Sequence, residues 1–258
     1  MSFSDNILNK NYKSKFILGD TFEEMNKLED KSVDLILCDL PYGLTANDKD
    51  KILPFDEIWK HYKRIISDSG TILLFGQGKF YVSLVNSNIE WFRYDLVWDK
   101  VLTSGFLNAK RQPLRSHEQI AVFQKYPSKT TYNPQFTEGK PLHSKGTAYK
   151  TKDTVNNNYG KFKQIEGKKT TKKYPKSILQ FSKPHPSVAL HRTEKSLELL
   201  EYLIKTYSNV GDLVLDNTCG SGGVAEACVK LERFFVCIDN DFECIRIAKA
   251  RVEKIIKM

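Results

Sequence analysis

Leu213-Val-Leu-Asp-Asn-Thr-Cys-Gly-Ser-Gly-Gly223 reads as a short buried strand that ends in a carboxylate and a glycine-rich turn, followed by a helix over Gly223–Lys230. Glycines in such a turn let a ligand approach the backbone closely, and the following helix points its N-terminus at that ligand. Gly220, Gly222 and Ala225 fit the loose G-x-G-x-x-A pattern, and Asp239 closes the next apolar run, Phe234–Ile238. Together they suit an adenosine-containing cofactor, with Asp239 accepting hydrogen bonds from ribose hydroxyls. A dehydrogenase or a plain structural turn could show the same pattern. Asp216 favours a different ligand: a carboxylate is unfavourable beside a diphosphate and favourable beside a cation. S-adenosylmethionine carries an ammonium and a sulfonium.

Working outward, strand and helix alternate. Lys15–Leu18 and Val33–Cys38 read as buried strands, with a short helix from Thr21 between them and Thr21 as its N-cap. Phe55–Ile66 and Gln77–Asn86 read as helices, and Thr71–Phe75, Tyr94–Trp98 and Gln119–Phe123 as strands. Thr193–Tyr207 is an amphipathic helix with Leu197, Leu200, Leu203 and Ile204 on one face, and Glu243–Lys257 is a final helix. The alternation predicts an α/β fold around a mostly parallel, buried sheet.

The chain has 258 residues, 40 Lys+Arg against 31 Asp+Glu, and a net charge of +9. Between Tyr126 and Lys183 lie 13 lysines and only three acids (Glu138, Asp153, Glu166), a net of +10, so the other 200 residues sum to -1. The same segment holds eight aromatic residues, which a disordered linker would lack. Lysines contact phosphates and flat rings contact bases, so the segment reads as a nucleic-acid recognition lobe. Lys161, Lys163, Lys168, Lys169, Lys172 and Lys173 are its candidate phosphate contacts. The expected division is a catalytic half over 1–125, the basic lobe over 126–183, and a cofactor half over 184–258.

After the strand Val33–Cys38 comes Asp39-Leu40-Pro41-Tyr42-Gly43. Asp39 and the Leu40 carbonyl can both accept hydrogen bonds from an exocyclic amine, and Tyr42 can stack on an aromatic ring held beside it. A surface turn would explain the proline and the glycine but not the aspartate and the tyrosine.

The two motifs together resemble those of the β-class DNA amino-methyltransferases, which methylate adenine N6 or cytosine N4 from S-adenosylmethionine. Asp39-Leu40-Pro41-Tyr42 is similar to the family's Asp-Pro-Pro-Tyr motif, and Asp216–Gly222 to its cofactor loop. The resemblance extends to Gly19-Asp20, Trp98-Asp99-Lys100, His117-Glu118 and the stretch His191–Lys195. It implies a Rossmann-like methyltransferase sheet, circularly permuted, with the chain ends close together and the target-recognition lobe inserted. It implies catalytic roles for Asp39, Leu40, Pro41 and Tyr42. It places the cofactor against Asp20, Asp216, Cys219, Gly220, Ser221, Gly222 and Asp239, with His191, Thr193 and Lys195 near its methionine carboxylate. The substrate would be double-stranded DNA, with the target base flipped from the helix. A homodimer and a cognate restriction endonuclease are the partners this class suggests. Aspartate at the head of the motif points to adenine N6. Cytosine N4 is the alternative, and an RNA or a protein glutamine a more distant one.

The sequence departs from that pattern at Leu40 and at Asn217, Thr218 and Cys219, where the resembling loops carry proline, phenylalanine and a small residue. Five cysteines without a CxxC pair and histidines without ligand spacing suggest no metal. No apolar run approaches a membrane span and the N-terminus has no apolar signal region, so a cytoplasmic protein is expected.

Overall fold

The computed structural model describes residues 14–43, 50–141, 153–156, 158, 160–163, 170–183 and 194–257. In chain order the first elements are β1 (Lys15–Leu18), α1 (Thr21–Asn26), β2 (Val33–Cys38), α2 (Phe55–Ile65), β3 (Ile66–Gly76), α3 (Gly78–Ser87), β4 (Phe92–Ser104) and β5 (Arg115–Phe123). Then come the short strands β6 (Thr137–Glu138), β7 (Asp153–Asn156), β8 (Gly160–Lys163), β9 (Lys172–Lys173) and β10 (Ile178–Gln180). The last elements are α4 (Leu197–Tyr207), β11 (Leu213–Asp216), α5 (Gly223–Lys230), β12 (Phe234–Asp239) and α6 (Phe242–Ile256).

Eight strands form one sheet in the order β1-β12-β11-β2-β3-β5-β4-β10. The N-terminal β1 lies parallel to the C-terminal β12, with Lys15 opposite Val236 and Leu18 opposite Asp239. β12, β11, β2 and β3 continue in parallel. β5 runs antiparallel to both β3 and β4, because a direct β4–β5 connection can only reverse the chain.

Successive side chains of a strand point to opposite faces, and here both faces are covered. Leu35 and Leu37 of β2 join Phe235 and Cys237 of β12 under α4, α5 and α6. Ile36 and Cys38 join Val236 and Ile238 against Met25 of α1, Ile58, Trp59 and Tyr62 of α2, and Phe80 and Leu84 of α3. Each of these fully buried aliphatic side chains contributes about 1.5–3 kcal/mol of transfer free energy, which fixes the register of the strands. Among the described residues no helix is long and apolar enough to cross a membrane.

The basic segment divides differently from the expected 126–183. Residues 134–176 form a separate compact unit, while 177–183 belong with the sheet. There β10 pairs in parallel with β4, and the Trp98 indole donates to the Phe181 carbonyl at 2.8 Å. Ile178-Leu-Gln180 escapes a periodicity reading because only three residues pair and only Leu179 is buried. Within residues 134–176, β6 pairs with β9 and β7 with β8, both antiparallel, and Phe136 packs on Tyr174 with centroids 4.8 Å apart.

Candidate active site

Four neighbouring parallel strands carry an aspartate at their carboxyl ends. Asp20 follows β1, Asp239 ends β12, Asp216 ends β11 and Asp39 follows β2. In an open parallel sheet this edge is where ligands collect. Among the described residues no group of His, Cys, Asp or Glu could hold a metal ion. Four carboxylates along one edge favour a ligand that carries positive charge.

The glycine turn after β11 is held by β12 and by its own backbone. Gly220 N–H donates to Asp239 Oδ2 at 2.9 Å, Gly222 N–H to the Cys219 carbonyl at 2.9 Å, and Cys219 N–H to the Ile238 carbonyl at 3.0 Å. Gly222 sits at φ +76°, and a Cβ there would lie 2.5 Å from that of Ala248, so its glycine serves the packing of α5 on α6. Gly220 differs: at φ +50°, a Cβ would meet nothing within 4 Å, which leaves room for a ligand against its backbone. Asp216 is buried, and burial followed by the charges of Asp39 and Asp239 raises its carboxyl to about 7, against the lowering bonds from Thr218 N–H and Cys38. Such a group is poised to ionise when a cation arrives.

Tyr42, Asp39 and Lys195 form the second half of the site. The Tyr42 hydroxyl donates to Asp39 Oδ1 at 2.7 Å, and its ring lies against Phe80 with centroids 4.7 Å apart. Burial, then Asp39 and Glu118, push the Tyr42 phenol well above its usual range, so it stays a donor. Lys195 Nζ sits 2.7 Å from Asp39 Oδ2 and 3.0 Å from Glu118 Oε2, and Lys100 Nζ is 3.1 Å from Glu118 Oε1. Burial lowers Lys195, but Asp39 and then Glu118 outweigh it and its ammonium is raised on balance. Burial raises Glu118, and Lys195 and then Lys100 overcome that, so its carboxyl is lowered.

The two halves are joined. Thr218 Oγ1 donates to the Asp39 carbonyl at 3.1 Å. Asn217, wholly buried, accepts at Oδ1 from the Tyr62 hydroxyl at 2.6 Å and from Cys38 Sγ at 2.9 Å, and its Nδ2 donates to Thr21 Oγ1 at 2.8 Å. The polar residues at 217 and 218 thus tie the turn to β2, α1 and α2.

Several expected residues stand differently. Asp20, not Thr21, caps α1, its Oδ1 accepting from Phe22 and Glu23 N–H at 2.9 and 3.1 Å. Thr21 instead donates to the Asn217 carbonyl at 2.9 Å. The Cys219 side chain is buried in the core, so only its backbone faces the turn. Leu40 is likewise buried in the core under α1, α2 and α3. Lys195 pairs with Asp39 and Glu118. Ser221 is buried in the turn and Pro41 half-buried. His191, Thr193, Lys168 and Lys169 lie outside the described residues, as does the side chain of Lys163. Lys161 on β8 is exposed, and Lys172 and Lys173 stand on β9. Glu118 had only its place beside His117 to mark it, since its role arises from two lysines distant in sequence.

A family model described as DNA methylase, for N6 and N4 methyltransferases, matches residues 33–250, from β2 to α6. The chain belongs to this DNA methylase family. Among relatives of this DNA methylase, a type II methyltransferase of Haemophilus parainfluenzae, M.HpaI, is 29% identical over 93% of the chain and 74% of its own length. Two solved structures share the fold. The M1.HpyAVI–SAM complex has a TM-score of 0.60 at 23% identity, covering 92% of this chain and 98% of its own. The PvuII cytosine-N4-specific DNA methyltransferase has a TM-score of 0.65 at 14% identity, covering 95% and 90%.

Proposed function

We propose that this DNA methylase transfers a methyl group to the N6 amino group of an adenine flipped out of double-stranded DNA. The observation that carries the reading is the contact between the two motifs, in which Thr218 of the glycine turn holds the Asp39 carbonyl. S-adenosylmethionine is the methyl donor and supplies an electrophilic carbon bound to a sulfonium. The four strand-end aspartates and the open backbone at Gly220 fit that cationic, adenosine-bearing group. Asp239 would accept from its ribose hydroxyls, and Asp216 would face its positive charge.

Each Asp39 oxygen accepts one donor, from Tyr42 or Lys195, and retains a second lone pair. Asp39 and the Leu40 carbonyl would accept the two amino hydrogens, turning the nitrogen lone pair out of ring conjugation and toward the methyl carbon. Tyr42, pinned at its hydroxyl, would stack on the base. Positioning and electrostatics supply most of the rate, since the amine proton becomes acidic only after methyl transfer. Adenine rests on aspartate at position 39 by resemblance. The type II naming of the relatives supports a site-specific enzyme with a cognate endonuclease, and the β1–β12 pairing supports a circularly permuted order.

Incubation with labelled S-adenosylmethionine and unmethylated genomic DNA, followed by nucleoside chromatography, tests the reading. Label in N6-methyladenine is expected, and sequencing of the modified positions gives the target site. Label in N4-methylcytosine would keep the mechanism and overturn the base.

Two further results are expected. Cofactor affinity rises roughly fivefold or more between pH 6 and 7.5, because Asp216 is largely neutral below about 7 and its ionised form attracts the cation. Calorimetric titration across that range checks it, and Asp216→Asn should flatten the profile. Replacing Lys161, Lys172 and Lys173 with glutamine should weaken DNA binding and lower the salt slope by up to about three, near one for each phosphate no longer neutralised. An unchanged slope would mean that phosphates are held by groups other than these three lysines.

A further inference from the structure

β4 and β5 run on past the sheet as a hairpin whose residues are all exposed from Val101 to Leu114. Its tip is ordered. Phe106–Asn108 forms a 3₁₀ turn, with Asn108 N–H donating to the Gly105 carbonyl at 2.9 Å and Arg111 N–H to the Asn108 carbonyl at 2.8 Å. The tip carries two large apolar side chains with no core to enter, Phe106 at 78% exposure and Leu107 at 84%. Nothing in folding requires an apolar pair there, and side chains so presented on a structured turn mark a contact with a partner.

The chemistry around the tip selects that partner. Lys110, Arg111 and Arg115 follow it, and no acidic residue occurs between Lys100 and Glu118. A surface that joins two apolar side chains to three cations fits a ligand with an apolar interior and a polyanionic exterior, which describes stacked bases between phosphates. The hairpin is also anchored in the site. Its feet are Lys100 and Glu118, which pair at 3.1 Å, and Glu118 leads through Lys195 to Asp39. From those feet the tip lies six residues along the strand, a reach of about 20 Å at most.

We infer that the Phe106–Leu107 tip is a DNA wedge that enters the base stack where the target base leaves it. This rests on the proposed action on duplex DNA and adds how the flipped state is held. Apolar wedges of this type partly unstack a base step, and Lys110, Arg111 and Arg115 would hold the flanking phosphates.

The test compares wild type with Phe106→Ala/Leu107→Ala on two duplexes carrying the target site found by sequencing the modified positions. In one the target base is paired, and in the other it lies opposite an abasic position, where extrusion is already easy. Wild type is expected to methylate both. The double variant is expected to lose roughly tenfold or more on the paired duplex and to recover most of that on the abasic one. Phe106→Trp/Leu107→Met, which keeps apolar bulk, should retain activity on both. Both tip side chains are exposed, so folding is unaffected, and cofactor affinity should match wild type. Equal rates for variant and wild type on the paired duplex would overturn the wedge, as would an equal loss on both duplexes. If sedimentation showed that the double variant converts a dimer to a monomer, the tip would be a subunit contact instead. If wild type modified no position of genomic DNA, so that no target site could be mapped, the DNA reading itself would fall, a failure visible before any variant is made.

Discussion

Asp39→Ala lowers methyl transfer by about a thousandfold or more, while cofactor and DNA still bind. The loss follows from what Asp39 supplies. Its carboxylate is the acceptor that would orient the amine, and its oxygens hold both the Tyr42 hydroxyl and the Lys195 ammonium. Alanine removes the acceptor and releases both partners, so the rate falls without loss of the glycine turn, which is built from β11, β12 and its own backbone. Single-turnover rates with labelled cofactor measure the chemical step, and calorimetry measures cofactor affinity separately. Asp39→Asn keeps the shape and one acceptor oxygen but presents a neutral amide to Lys195, so it should fall between alanine and wild type. Turnover near wild type in the alanine variant would sink the mechanism.

Lys195→Met should cost both activity and stability, and the pattern of the loss tells two roles apart. The ammonium lies between two carboxylates in a largely buried position, with Lys100 supporting only Glu118. Removing it leaves buried charge uncompensated, a change that typically costs about 3–5 kcal/mol. The thermal midpoint should drop accordingly. If Lys195 positions Asp39, as these contacts favour, turnover falls by about a hundredfold with little change in the KM for cofactor. If it instead holds the cofactor carboxylate, as the resemblance implies, the KM rises and turnover is largely kept. Lys195→Arg should restore part of the stability. Because Lys195 is raised and Glu118 lowered, both stay charged through the neutral range, and neither should put a break in the pH–rate profile there.

Much of the sheet is legible in the sequence because its central strands are buried on both faces. Val33–Cys38 is apolar at every position but Asp34 and is closed by Asp39, and its bounds are those observed. Gly223–Lys230 is likewise recovered, since glycines and a charged end delimit it. The edges are less legible. β4 extends from the expected Tyr94–Trp98 to Phe92–Ser104, because its outer half pairs as an exposed hairpin that owes nothing to apolar periodicity. α4 starts at Leu197, later than expected. In the site, Asp39, Tyr42, Asp216 and Asp239 could be named because each ends or follows a recognisable strand. The pairing that fixes Asp39 could not, although Lys195 and Glu118 both lie in stretches that carry the resemblance. Lys195 reaches Asp39 across 156 positions and Glu118 across 77, distances at which only the folded sheet brings charges together.

Asn217 has a consequence for how such loops can change over generations. Where resembling loops are stiffened by a proline ring, this one is stiffened by an amide bonded to Thr21, Cys38 and Tyr62. The two solutions cannot be exchanged one residue at a time. Proline at 217 would leave three buried polar partners unmatched. Effects at positions 21, 38, 62 and 217 should therefore be strongly non-additive. At this loop the four residues act as one block, so exchange for a proline-type loop should be tolerated only when all four are changed together.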